Sequence, residues 1–256
     1  MVEIGPGITF GGGVQLTPAP VAAVANGSVS FNGSSQYLSL ANTSAFNFGT
    51  ADFTIEFWWR PTVNRKSDVL DFFDDTAAPI SRLFIGTNFT TDNLEFYTDY
   101  VVNSGVAKIT GPATSTLLNT WNHIAVTRQS GSMKMWLNGT QTGSTYSASV
   151  INFGSATGGM ALYVMRDPLS GIDGSGNLSN IRVVKGTPVY TGTFTPPTSP
   201  LTATQSSGTN ISAITAGQTQ LLLNTTNDAN FLKDSSSNNF TVTNAGSVSS
   251  SALNPF

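Results

Sequence analysis

The side chains able to do chemistry in this 256-residue chain are few. There is one histidine, His123, and no cysteine, so thiolate nucleophiles, thiolate metal sites and disulfides are all excluded. A Ser–His–Asp arrangement would have to run through His123. No Gly-x-Ser-x-Gly elbow presents a nucleophile to it, and no His-Glu-x-x-His motif is present. Within the alternating stretch WNHIAV, His123 reads as structural. Glycosidic cleavage needs two carboxyl groups flanking one bond. Glu56 stands alone in TIEFWW, Glu95 and Asp99 in LEFYTDY have no acid between them, and Asp71, Asp74 and Asp75 in DFFDD read as a turn cap. No catalytic residue can be assigned, and the chain reads as a non-enzyme.

Tryptophan flanked by hydrogen-bonding groups is the other chemistry on offer, and the strands decide where it points. In WNHIAVTRQSGSMKMWLNG (121–139), Ile124 and Val126 alternate with polar neighbours. A Gly-containing break follows, and then Met133, Met135 and Leu137 alternate again. Period-two spacing on both sides of a short turn predicts a β-hairpin with one apolar face. In DFTIEFWWRP the residues Phe53, Ile55, Phe57 and Trp59 share one face, and Pro61 ends the strand because proline cannot donate to a ladder. The opposite faces then carry Trp58 with Glu56 and Arg60, and Trp136 with Lys134 and His123. These six residues form the candidate glycan or partner surface, since such groups stack on sugars and also build oligomer contacts. Loops or a returning tail covering them is the competing reading.

Further short strands are expected at Val29–Phe31, Tyr37–Leu40, Asp68–Phe73, Arg82–Ile85, Asn93–Tyr97, Val106–Ile109, Leu162–Val164 and Leu178–Val184. Their roughly ten-residue spacing and Gly, Asn and Pro turns predict an all-β, two-sheet antiparallel sandwich. Residues 1–25 read as an extended glycine-rich arm. Its apolar residues Ile4, Ile8, Phe10 and Val14 are too sparse for a core, so the arm either stays free or docks on a partner. Residues 26–200 form the main domain, which TFTPPTSPL (193–201) leaves. Residues 201–217 read as a Ser/Thr/Gly linker. In 218–256, LLLN suits a buried strand, Asp234–Asn239 a turn and Phe240–Thr243 a strand. That pair is too small to fold alone and must pack on the sandwich or on a neighbouring subunit.

Only 10% of residues are charged and the formal net charge is −3. No basic patch argues for nucleic acid, and no apolar run approaches the ~18 residues of a membrane span. The first residues lack the cationic and apolar regions of a conventional signal peptide.

Four segments in order, GSVSFNGSSQYLSL, FNFGTADFTIEFWWRP, WNHIAVTRQSGSMKMWLNG and LSNIRVVKGTPVY, resemble laminin-G-like members of the concanavalin A-like lectin/glucanase superfamily over about residues 27–200. That resemblance implies a two-sheet jelly roll. The segments KGTPVYTGTFTPPTSPL and FLKDSSSNNFTVTNAG, and the arm IGPGITFGGGVQL, resemble parts of virion structural proteins of marine bacteriophages. In laminin-G-like domains the LLL strand, the DSS-x-N turn and the FTVT strand precede the S-x-x-F-N-G motif. Here they follow the sandwich, so the tail is expected to supply strands usually found at the start. The superfamily's glucanases use a Glu-x-Asp-x-x-Glu cluster that this chain lacks. Laminin-G-like domains often hold Ca²⁺ at a sandwich rim. Candidate loops here are Asp71–Asp75 and Asp167–Asn177; the second places Asp173, Ser175 and Asn177 at alternate positions but has no closing glutamate. Ca²⁺ is the one cofactor considered, and a plain turn is the alternative. The implied function is a virion structural protein, as capsid decoration or tail appendage, adhering to host-surface glycans. It would be homo-oligomeric and held to other virion proteins through residues 1–25. A carbohydrate-binding module or adhesin of bacterial origin is the alternative.

Overall fold

The computed structural model describes residues 27–74, 81–87, 91–99, 108–148, 152–154, 158–225 and 230–256, with the backbone of two short strands in the N-terminal arm. Those two are β1 (Thr9–Phe10) and β2 (Val14–Gln15), which pair antiparallel with Phe10 opposite Val14. Ile4 and Ile8 lie outside the described residues, as do the side chains of Phe10 and Val14. The domain begins with β3 (Ser28–Asn32), β4 (Tyr37–Thr43), β5 (Phe53–Arg60), β6 (Ser67–Asp74), β7 (Ser81–Thr87) and β8 (Asn93–Asp99). It continues with β9 (Ile109–Ala113), β10 (Asn122–Gln129), β11 (Ser132–Leu137), β12 (Thr140–Ser147), β13 (Met160–Val164) and β14 (Ser175–Lys185). The tail adds β15 (Thr219–Leu223), β16 (Thr243–Ala245) and β17 (Ser249–Ser251).

These strands form two antiparallel sheets. One runs β12-β11-β10-β5-β14-β3-β17, with β15 also paired to β14; the other runs β16-β4-β13-β6-β7-β8-β9. This is the all-β jelly-roll sandwich that the alternating pattern implies. Phe53, Ile55, Phe57 and Trp59 of β5 and Ile124 and Val126 of β10 are fully buried between the sheets. They meet Leu70 and Phe72 of β6, Ile85 of β7, Phe96 of β8 and Leu162 of β13 in one core. Each such side chain contributes about 1.5–3 kcal/mol of burial. Among the described residues no helix is long and apolar enough to cross a membrane.

A bulge in β14 does the most to position the polar chemistry. The register shifts between Ser179 and Arg182, and Asn180 there adopts a φ of 53°. Leu178, Ile181 and Val183 can therefore all face the core, although the first two are an odd number of residues apart. Arg182 is thereby turned outward, opposite Glu56.

The tail closes the sandwich in cis. β15 pairs with β14, β16 with β4 and β17 with β3. Asp234 pins the turn, its carboxylate accepting from the backbone N–H of Leu222, Ser236 and Phe240. Several expected bounds move. Phe240–Val242 is not a strand, and pairing starts at Thr243. β9 begins at Ile109, while Val106 lies outside the described residues. β12 has no apolar alternation to announce it; its exposed residues extend the β11 edge. Residues 201–217 are not a free linker: Leu201 and Ile214 are buried, and Gln205 and Ile214 exchange backbone hydrogen bonds.

Candidate functional site

The face of β5 and β10 opposite the core holds Glu56, Trp58 and His123, and β11 adds Trp136. It is not an open surface. Glu56 and His123 are completely buried, Trp136 is 1% exposed and Trp58 8%; only Arg60 and Lys134 are partly exposed. Residues 187–214, which include the proline-rich 193–201 expected to leave the domain, return as a strap over this face. Val189, Tyr190, Phe194 and Ile214 pack there against Ala125, Trp136 and Val184. Phe256 adds an edge contact to Trp58 at 5.8 Å. The strap is fastened through its backbone: Val189 donates its N–H to Thr54 Oγ1, and Phe194 donates to the carbonyl of Gly139. Gly139 has φ +82°, and any Cβ there would strike that Phe194 carbonyl, so the position requires glycine.

Beneath the strap lies a closed polar cluster. Arg182 grips Glu56 Oε1 through Nε at 2.8 Å and Nη2 at 2.6 Å. It also donates to the Thr202 carbonyl and to Gln205 Oε1. Glu56 Oε2 accepts from Tyr190 Oη at 2.7 Å and meets His123 Nε2 at 3.1 Å. Tyr190 and Phe194 stack at 3.6 Å, both edge-on to His123. Burial pushes the Glu56 carboxyl up, but Arg182, with His123 and Tyr190, outweighs it and holds the pKa at about 2. Burial and the Glu56 charge push the Tyr190 hydroxyl well above its ordinary value. Arg182, Tyr190 and His123 all meet Glu56, so this cluster ties the strap to the sheet. It could not be read from the sequence, because Gln205 lies in the stretch read as a linker and Tyr190 stands just before the segment 193–201 read as an exit.

The second polar cluster is on the outside of the other sheet, where β6 and β7 meet the 165–174 loop. Asp71 is not a turn cap. It sits fully buried in β6 and takes a double contact from Arg82 Nε, at 3.1 and 2.9 Å. Arg82 Nη2 lies 2.6 Å from Asp71 Oδ2, 2.6 Å from Asp68 Oδ2 and 3.1 Å from Asp167 Oδ1. Lys66 Nζ holds Asp167 Oδ2 at 2.6 Å. Burial pushes the Asp68 carboxyl up to about 6, and its Oδ1 is buried without a hydrogen-bond partner. Asp173 is spent on Arg166 at 2.8 Å, and Ser175 and Asn177 are buried at the start of β14, with Asn177 donating to Ser28 Oγ. Asp68, Asp71 and Asp167 are the one group of acidic side chains among the described residues whose oxygens lie close enough for a metal. A guanidinium nitrogen already stands among those oxygens, so the site does not fit Ca²⁺ as it is built.

Beside that cluster runs a row of aromatics. Register places Ser39, Tyr163, Asp71, Phe84 and Tyr97 opposite one another across β4, β13, β6, β7 and β8. Tyr163 and Tyr97 are half-buried, and Phe84 and Tyr97 lie 5.0 Å apart. Tyr37 sits 6.5 Å from Tyr163 with Arg166 over its ring. This row was legible in principle: Phe84 and Tyr97 alternate out of phase with the core residues Leu83, Ile85, Leu94 and Phe96. A separate groove of about 410 Å³, lined by Thr193, Phe194, Thr195, Thr209 and Ile211, opens on the outside of the strap.

Residues 32–188 match the model of a laminin-G-type family described as the concanavalin A-like lectin/glucanases superfamily. None of the curated proteins compared matches the sequence. Among solved structures, a Bacteroides ovatus protein, provisionally described as carbohydrate binding, is similar with TM-score 0.56 and 16% identity. The match covers 91% of this chain and 61% of that one, so this chain spans less than two thirds of its length. Domains LG4-5 of the mouse laminin alpha1 chain are similar at TM-score 0.43 and 18% identity, covering 62% and 41% of the two chains. Tailspike protein 2 from Escherichia coli O157:H7 bacteriophage CAB120 is similar at TM-score 0.40 and 12% identity, covering 66% and 27%. The first of these likenesses bears on the fold alone, and the other two carry no argument. On the family match, across most of a two-sheet lectin-like sandwich, the chain belongs to the concanavalin A-like lectin/glucanases superfamily.

Proposed function

We propose that this chain is a non-enzymatic adhesion domain that binds glycans through the outer face of its seven-stranded sheet, displayed on the surface of a bacteriophage virion. The observation that carries the glycan reading is the Tyr163–Asp71–Phe84–Tyr97 row, with half-buried tyrosines at both ends. Sugar faces stack on aromatic rings. Three strand spacings separate the terminal tyrosines by roughly 14 Å, a length suited to a short oligosaccharide. Individually weak contacts of this kind gain strength from many copies. Glycoside hydrolysis needs two available carboxyl groups; those at Glu56 and Asp71 are bound up by Arg182 and Arg82. Support for the virion placement comes from the resemblance of the arm, the strap and the tail to phage structural proteins.

The test is a glycan array with the full chain and with Tyr97→Ala/Tyr163→Ala. The expected result is binding that the double variant loses by tenfold or more while it still melts cooperatively. Equal binding by both proteins would refute the site. Release of reducing sugar from laminarin would refute the non-enzymatic reading. Recovery of the chain from purified cells and not from purified particles would favour a bacterial adhesin.

A further inference from the structure

Arg82 presents three separate carboxylate groups to one nitrogen. Nη2 lies 2.6, 2.6 and 3.1 Å from oxygens of Asp71, Asp68 and Asp167. A guanidinium nitrogen has only two protons to give, and an arginine normally meets a carboxylate as a fork, as Arg82 does with Asp71 through Nε to Oδ1 and Nη2 to Oδ2. Convergence of oxygens from three side chains on one point is instead how carboxylates surround a hard cation. Two further facts fit that description. Asp68 Oδ1 is buried with no donor, so the cage has more acceptor capacity than Arg82 satisfies. Three acidic side chains also share only two cations, Arg82 and Lys66.

We infer that Arg82 is a built-in cation standing where a divalent ion would sit, so that the chain folds independently of metal, while the carboxylate trio keeps the capacity to bind Ca²⁺ once the guanidinium is removed. The cage joins β6, through Asp68 and Asp71, to the 165–174 loop, through Asp167. A covalently tethered charge keeps that joint closed at any calcium concentration.

The experiment is thermal melting of the full chain, wild type and Arg82→Met, in millimolar calcium chloride and in a chelator. Wild type should melt at the same temperature in both. Arg82→Met should melt lower in the chelator and rise by roughly 5 °C or more in calcium, the shift expected for a ligand well above its Kd. Adding Asp167→Asn should abolish that rise. If Arg82→Met does not fold in the chelator, refolding with calcium should recover it. Stabilisation of wild type by calcium would overturn the inference, because the ion would then bind beside or in place of the guanidinium. A folded Arg82→Met indifferent to calcium, or one that calcium cannot recover, would overturn it equally.

Discussion

Glu56→Gln is the most informative single change, because it removes one charge from a closed cluster and almost no volume. In the folded chain Glu56 holds a pKa of about 2 against an ordinary value of 4.5. At 1.36 kcal/mol per pKa unit, the ionised carboxylate is favoured by about 3 kcal/mol. Breaking a buried ion pair from one side typically costs 3–5 kcal/mol, which agrees. For a chain of this length the unfolding entropy is roughly 0.5 kcal/mol per degree, so Glu56→Gln should lower Tm by about 6–10 °C at pH 7. The sign with pH follows from the folded pKa being depressed: the contribution is complete above about pH 4.5 and disappears as pH falls towards about 2. Scanning calorimetry of both proteins at pH 7 and at pH 3 checks this. The gap between them should narrow at the lower pH. A variant within 1–2 °C of wild type at pH 7, or a gap that does not change with pH, would show that the cluster does not carry the strap.

Tyr190→Phe removes one donor from Glu56 and should cost about 1–3 kcal/mol; it should also raise the pH at which acid destabilises the chain, read from Tm against pH. Gly139→Ala places a Cβ against the Phe194 carbonyl at a positive φ, at roughly 1–3 kcal/mol. Limited proteolysis should then cut within 187–214 before the sandwich unfolds, and unchanged resistance would count against the strap contact. Deleting residues 218–256 removes β15, β16 and β17 and uncovers one side of the core. The product should aggregate or lose cooperative melting, and a soluble 1–217 fragment with a sharp transition would sink the expectation.

The sandwich was legible because period-two alternation reports a strand with one buried face, and β5, β10 and β11 alternate cleanly. What alternation cannot report is the occupant of the other face. Trp58, Glu56, His123 and Trp136 look outward-facing by phase, and they do leave the main core, but a strap with its own apolar residues buries them. The prolines in TFTPPTSPL imply a chain leaving the domain, and nothing local says that it folds back. Arg182 alternates with Ile181 and Val183, so its face was legible; its partner Glu56, 126 residues away in the chain, was not. Asp71 carried a usable signal. It alternates with the core residues Leu70 and Phe72, so its phase places it on the outer face, although the sequence does not reveal that Arg82 meets it there.

The closing strands have a mechanical consequence. β17 lies antiparallel to β3, with Ser251 opposite Ser28, so the first residue of the domain and the last residue of its final strand leave from the same end of one ladder. Tension applied through flanking sequence at those two points would pull along the direction of the ladder hydrogen bonds, which run across the strands, and open them one at a time like a zipper. The joint would therefore yield by peeling at low force, releasing β17 and then β16, while the strands of the central core remain paired.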